Sequence, residues 1–198
     1  MHNGHVAIAR KMADLLNPTQ VRIIPSGWSW QKLPFHVSAE HRLAMLSLAF
    51  TELASTNSLV IDQQEMQRAL TGTPSYSVDT LTQLRNEFGP SASMVFVIGT
   101  DQLLHLPSWN NWEHLFDLAH IAVVSRPGFA LDELDSLVAR EFKQRAGTIT
   151  QLRQQASGHT YLCEELAIDI SSTELRDRLQ ADAMPPAVLK YVQEHHLY

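Results

Sequence analysis

The sequence predicts an α/β protein built on a doubly wound parallel sheet. Two patterns point there. Runs such as Met94-Val95-Phe96-Val97-Ile98 and Ile121-Ala122-Val123-Val124 are apolar throughout rather than alternating, as strands covered on both faces are. Between such runs lie segments of helical periodicity, and strand alternating with helix is the order that produces parallel sheets with helices on both sides. One feature departs from this plan. The chain opens almost directly into a helix, so the first, central strand is expected to be absent, leaving two backbone edges with unpaired groups.

The elements follow in order. Residues 6–16 place Val6, Ile8, Ala9, Met12, Leu15 and Leu16 roughly on one stripe and predict a helix, stopped by Asn17-Pro18. Residues 21–24 read as a short buried strand. Ser38 is expected to cap a helix over residues 39–54. A strand over residues 58–62 precedes a helix over 77–88, closed by Gly89-Pro90. The clearest strand is 94–98, ending at Gly99, and the next is 121–124, ending at Arg126-Pro127-Gly128. Residues 131–146 read as a mostly polar, exposed helix, residues 160–163 as a last strand, and 172–181 and 186–195 as closing helices. With 198 residues, no internal repeat and no low-complexity segment, the chain is expected to form one domain over residues 1–198.

Composition narrows the function. Apolar residues make up 44 % and charged residues 18 %, a globular balance. A net charge of −6 argues against a protein that coats nucleic acid, which needs a basic face, but not against binding a nucleotide at a helix start. Cys163 is the only cysteine, so no internal disulfide or cysteine metal site can form; in its apolar run it reads as a buried, inert thiol. No apolar stretch is long enough to span a membrane, and the first residues lack the pattern of a signal peptide. The expected setting is the cytoplasm, without a membrane or nucleic-acid partner.

Chemistry is expected at the carboxyl ends of the strands, in the loops after Ile24, Ile98 and Val124. Two clusters stand out. His2-Asn3-Gly4-His5 sets two imidazoles around a glycine at the mouth of a helix. Glycine allows close approach to the backbone, the helix start favours phosphate, and the imidazoles can hydrogen-bond a phosphate as charge builds up on it. The same residues could be a disordered terminus, a metal-binding pair or two solvated histidines. In Ile170-Ser171-Ser172-Thr173-Glu174-Leu175-Arg176, three successive hydroxyls at a helix start offer phosphate hydrogen bonds, with Arg176 one turn in. An ordinary N-cap with a surface arginine would look the same.

Together these clusters resemble the HxGH nucleotidyltransferase superfamily, whose fold is Rossmann-like. Further stretches resemble its bacterial nicotinate-mononucleotide adenylyltransferase branch. They are Ile24-Pro25 followed by Lys32, the run from Ser38 to Leu46, Pro74-Ser75-Tyr76-Ser77-Val78-Asp79-Thr80-Leu81, Ile98-Gly99-Thr100-Asp101, Leu106-Pro107-x-Trp109-x-x-Trp112, Arg126-Pro127-Gly128 and the closing residues 191–198. The likeness runs along nearly the whole chain in the family's order.

The resemblance implies roles. His2 and His5 would hold the ATP phosphates and stabilise the pentacoordinate phosphorus, with Gly4 between them. Ser171, Ser172, Thr173 and Arg176 would bind the triphosphate, the C-terminal part, about residues 171–198, completing the ATP site. Gly99 and Asp101 would meet nucleotide ribose and phosphate, and Lys32 the substrate phosphate. Ser75, Tyr76, Ser77, Thr80 and Trp109 would form the nicotinate pocket, and Arg126 is a further substrate-binding candidate. Lys32 also reads as a solvated loop cation, Trp109 and Trp112 as core, and His41 as structural. Trp28 and Trp30 match nothing in the family, and Gln31 stands where the family often has histidine before its basic residue.

The implied reaction joins ATP to nicotinate mononucleotide, giving nicotinate adenine dinucleotide and pyrophosphate. Mg²⁺ would ride on the ATP phosphates, since no carboxylate cage is evident. The rivals are a pantetheine-phosphate adenylyltransferase, against which the segments 74–80 and 107–112 argue, and a non-catalytic nucleotide-binding remnant. The remnant is a candidate because the family has a strand and Gly-Gly-Thr-Phe-Asp-Pro before its HxGH, and Met1 falls just after that point. An internal methionine taken as the start is the simplest expectation. A chain made as these residues alone is expected to fold poorly and turn over little.

Overall fold

The computed structural model describes residues 2–27, 37–56, 58–125, 131, 136–164 and 183–197. They fall into two compact units, Met1–Ser75 with Asp169–Tyr198, and Tyr76–Ile168. The architecture is mixed α/β, and among the described residues all strand pairs are parallel.

The first unit opens with α1, Asn3–Leu16, three residues earlier than its apolar stripe predicts. Asn17 ends it in the left-handed conformation (φ 46°), donating its N–H to the Ala13 carbonyl at 2.8 Å. Strand β1, Val21–Ile23, pairs with β2, Leu59–Ile61, in the register Val21↔Leu59 to Ile23↔Ile61, and all six residues are half-buried. Between them the expected helix 39–54 is two helices, α2 (Ala39–Ala49) and α3 (Thr51–Thr56). Ser38 caps the first, accepting the His41 N–H at 3.3 Å. The break falls at Phe50 (φ −104°, ψ 11°), where Thr51 Oγ1 donates back to the Ser47 carbonyl at 2.9 Å, a bond that bends helices. The bend leaves Phe50 and Leu53 both buried. A short helix after β2, α4 (Gln64–Leu70), is not evident from periodicity. The C-terminal helix, Pro186–Glu194, adds Val188 and Val192 to a core with Ala13, Met45, Leu46 and Phe50.

In the second unit α5, Ser77–Phe88, ends at Gly89 with φ 85°, the left-handed conformation that favours glycine. There follow β3 (Val95–Gly99), α6 (Thr100–His105), two single 3₁₀ turns at Leu106–Ser108 and Trp112–His114, and α7 (Leu115–Leu118). The unit closes with β4 (His120–Val124), α8 (Leu137–Gln144), α9 (Ile149–Gln154) and β5 (Thr160–Cys163). The sheet order is β3-β4-β5, with β4 central and every one of its residues buried. Cys163 is buried at its edge. The helix expected over 131–146 is described only as α8, and it is not exposed as a whole: Val138, Ala139 and Phe142 pack inward. Five parallel strands thus form sheets of two and three strands among the described residues, one sheet in each unit. Within the same residues no helix is long and apolar enough to cross a membrane.

Candidate active site

Helix α1 starts at a residue that does not close it. His2 takes the N-cap position in extended conformation (φ −137°, ψ 164°) without a capping side-chain bond, and no acidic residue lies in the first turn. The His5 N–H is used by the His2 carbonyl at 3.0 Å. The start of this 14-residue helix thus has no side-chain cap from His2 and no acidic residue in its first turn, a setting that favours phosphate. The two imidazoles stand together there, ring centres 3.8 Å apart and planes tilted by 40°. His2 is buried and His5 exposed, so one ring is held by its surroundings while the other faces solvent. Gly4, between them, is buried. Two imidazoles at a helix start bring together groups that can donate to the oxygens of an anion.

Ser75 in the same unit donates its hydroxyl to the Glu65 carbonyl at 3.3 Å. His41, on α2, is 2.9 Å through Nδ1 from the Tyr191 hydroxyl, and its ring lies 5.1 Å from that of His195.

The second unit presents a different group. Tyr76 is the N-cap of α5, extended and without a side-chain cap bond; Ser77 begins the helix and Thr80 is buried one turn in. Gly99 ends β3 and caps α6 (φ −86°, ψ 165°), and a Cβ built there would meet nothing within 4 Å. The residue is not glycine for lack of protein space, and the open volume is available to a ligand. Asp101, in the first turn of α6, is exposed. The two tryptophans divide: Trp112 is core, edge-on to Phe116 at 6.1 Å, whereas Trp109 is partly exposed. Trp109 meets Phe96 edge-on at 6.3 Å, and its buried indole N–H finds no acceptor among the described residues. An indole with one apolar partner and an unused donor suits a ring carrying a polar substituent.

Lys32, Arg126, Ser171, Ser172, Thr173 and Arg176 lie outside the described residues, as do Trp28, Trp30 and Gln31. Among the described residues no three His, Cys, Asp or Glu side chains converge on a position for a metal ion. Sequence reading assigned no role to Gly27, Arg42 or Glu65, which the first unit joins at the loop after β1; a glycine required for space next to a distant carbonyl leaves no local signal.

Comparison with known proteins places these groups in context. The family model described as cytidylyltransferase-like matches residues 1–178. A protein of Herminiimonas arsenicoxydans named "Probable nicotinate-nucleotide adenylyltransferase" is 45 % identical, covering 100 % of this chain and 91 % of its own. One of the same name from Chromobacterium violaceum is 40 % identical, covering 100 % and 93 %. Among solved structures, Plasmodium falciparum nicotinic acid mononucleotide adenylyltransferase complexed with NaAD superposes with a TM-score of 0.70 at 16 % identity, over 100 % of this chain and 91 % of that one. At that identity the likeness concerns the fold.

Proposed function

The chain belongs to the cytidylyltransferase-like family, and on that premise we propose that it is a nicotinate-nucleotide adenylyltransferase of NAD biosynthesis. It transfers the adenylyl group of ATP to nicotinate mononucleotide. The observation that carries the reading is the paired His2 and His5 at the uncapped start of α1, in a chain 45 % identical over its whole length to a relative of that name.

A phosphate oxygen of nicotinate mononucleotide attacks the α-phosphorus of ATP in line. The bond from that phosphorus to the bridging oxygen breaks, and pyrophosphate leaves with its electron pair. A phosphate monoester is already ionised near neutral pH, so no general base and no covalent enzyme intermediate are required. Catalysis is then positioning and stabilisation of charge. His2 and His5 donate hydrogen bonds to phosphate oxygens that gain charge in the transition state, reinforced by the helix start. Ser171, Ser172, Thr173 and Arg176 hold the triphosphate; Gly99 and Asp101 receive ribose and phosphate; Lys32 and Arg126 take substrate anions. Ser75, Tyr76, Ser77, Thr80 and Trp109 take the nicotinate ring, its carboxylate to N–H groups and its face to the indole. Mg²⁺ belongs to the MgATP substrate, where it neutralises leaving pyrophosphate. We place the reaction in the cytoplasm, with no membrane or nucleic-acid partner.

Turnover of ATP with nicotinate mononucleotide, followed by release of pyrophosphate, tests the reading against phosphopantetheine as acceptor. A preference for phosphopantetheine would sink it. His2→Ala and His5→Ala should each lower kcat about 10²- to 10³-fold, the range for losing one donor to a developing oxyanion. Their circular dichroism should match the parent's.

A further inference from the structure

Two parts of the first unit meet at one backbone atom, the Glu65 carbonyl oxygen in the first turn of α4. From one side comes Gly27, buried in the loop after β1. A Cβ built on it would stand 1.9 Å from that oxygen, 2.5 Å from the Glu65 carbonyl carbon and 3.1 Å from the Met66 nitrogen. These are backbone atoms of a helix and cannot swing aside as the tip of a side chain could. Among the described residues the glycines with positive φ are Gly72, Gly89 and Gly158. Gly27 is not among them: it supplies space, not conformational freedom. From the other side Ser75 donates its hydroxyl to the same carbonyl at 3.3 Å.

Both partners of the junction are themselves held. Arg42, on α2, donates Nη2 to the carbonyl of Ser26, the residue before Gly27, at 2.5 Å. Helix α4 is fixed by Asp62, which accepts the Gln64 N–H and the Gln64 side-chain amide, each at 3.0 Å, and the Arg22 guanidinium at 2.9 Å. Little is left free to absorb an error of spacing.

We propose that this junction sets the separation between the loop after β1 and Ser75, so that Gly27 and Arg42 are positioning residues for nicotinate mononucleotide and not for ATP. The inference rests on the function proposed above. Its asymmetry follows from the chain: in the function proposed above Ser75 serves the acceptor, whereas the ATP groups His2 and His5 stand at the start of α1. A methyl group at residue 27 must push the loop off α4, and the Glu65 carbonyl that it displaces is the one that holds Ser75.

Steady-state kinetics of the full chain, with both substrates varied, test this. Gly27→Ala should raise KM for nicotinate mononucleotide about 10-fold or more while KM for ATP stays within about 2-fold, since misplacement near 1 Å can cost up to about 10²-fold. Arg42→Gln should give the same signature more weakly, with Arg42→Lys, which keeps a donor, nearer the parent. Gly27→Ala with parental circular dichroism and an unchanged KM for nicotinate mononucleotide would overturn the proposal. So would a parallel rise for both substrates. If Gly27→Ala does not fold, the Arg42 pair decides by the same criteria. A parent that fails to use nicotinate mononucleotide overturns the functional reading, and this inference with it; an active parent whose variants keep their KM overturns the inference alone.

Discussion

The two sheets come from similar stretches of sequence and are covered differently. Strand β4 runs five residues, is paired on both sides by β3 and β5, and is 0–5 % exposed along its length. Strands β1 and β2 run three residues each, pair with one another, and are half-buried throughout. The second unit thus holds a fully buried central strand, while the first holds a helix start with two imidazoles and a loop pinned at single atoms. Burial is unevenly shared: the strands of the first unit are all partly exposed, whereas every residue of β4 is buried.

The largest effect that could break this comparison is on packing. Ile121, fully buried on β4, should cost about 2–5 kcal/mol when replaced by alanine, the range for a buried aliphatic that leaves a cavity. Ile23→Ala on half-buried β1 should cost about 1–2 kcal/mol, because part of its side chain already meets water. Urea unfolding of both variants measures the gap, and equal costs would erase the distinction.

Next comes a polar anchor in the second unit. Arg85, near the end of α5, donates to the carbonyls of Leu118, Gly89 (3.1 Å), Ala92 (2.6 Å) and Ala156 (2.9 Å). One guanidinium ties the loop after α5, the end of α7 and the turn after α9 with the fork of donors that only arginine has. Arg85→Met keeps the aliphatic stem and strands those acceptors, at about 1–3 kcal/mol. In the first unit the exposed Arg10–Glu52 pair (2.7 Å) should contribute under about 1 kcal/mol, as solvated ion pairs do. Thermal denaturation of Arg85→Met and Arg10→Ala, side by side, checks both; a larger loss from Arg10→Ala would reverse the comparison.

What was legible in the sequence divides along similar lines. The apolar runs 94–98 and 121–124 and the short run 160–163 located β3, β4 and β5 to within a residue, since runs of four or five residues rich in Val and Ile and bounded by turn residues are too short for a buried helix. Ser38 and Gly89 marked helix ends by their own chemistry. The short helices α4, α6, α7 and α9 span less than two full turns each and give periodicity nothing to detect. Yet α9 carried a signal in its capping box, Thr148 with Gln151. The kink at Phe50 depends on which side chains the core needs, a tertiary fact. In the site, the histidine pair was visible as a motif, and its close ring contact follows from adjacency on one turn. The Gly27–Glu65–Ser75 junction was not, because the atom that makes Gly27 necessary is a main-chain oxygen 38 positions away.

The smallest effect concerns pH, and it separates the units again. His120 opens β4 fully buried: its Nε2 lies 2.8 Å from the Gln155 carbonyl, and its Nδ1 accepts the His159 backbone N–H at 3.0 Å. A carbonyl can only accept, so Nε2 carries the proton and Nδ1 is the lone-pair nitrogen. Adding a second proton would turn that acceptor against the His159 N–H. Burial holds the His120 pKa below its ordinary value, the Gln155 hydrogen bond pushes it up, and the nearby His159 and Arg85 pull it down. The net direction is down, so between the two pKa values the unfolded chain binds more protons than the folded one, and stability rises with pH there. The contribution is complete above about pH 6.5, the unperturbed histidine value, and falls away as pH drops towards and through the folded value. Urea midpoints from pH 7.5 down to about 5 should therefore decline more steeply in the parent than in His120→Asn, which keeps a donor and an acceptor but cannot titrate in that range. Identical slopes would mean that the buried histidine of the closed sheet does not set the acid limit of the fold.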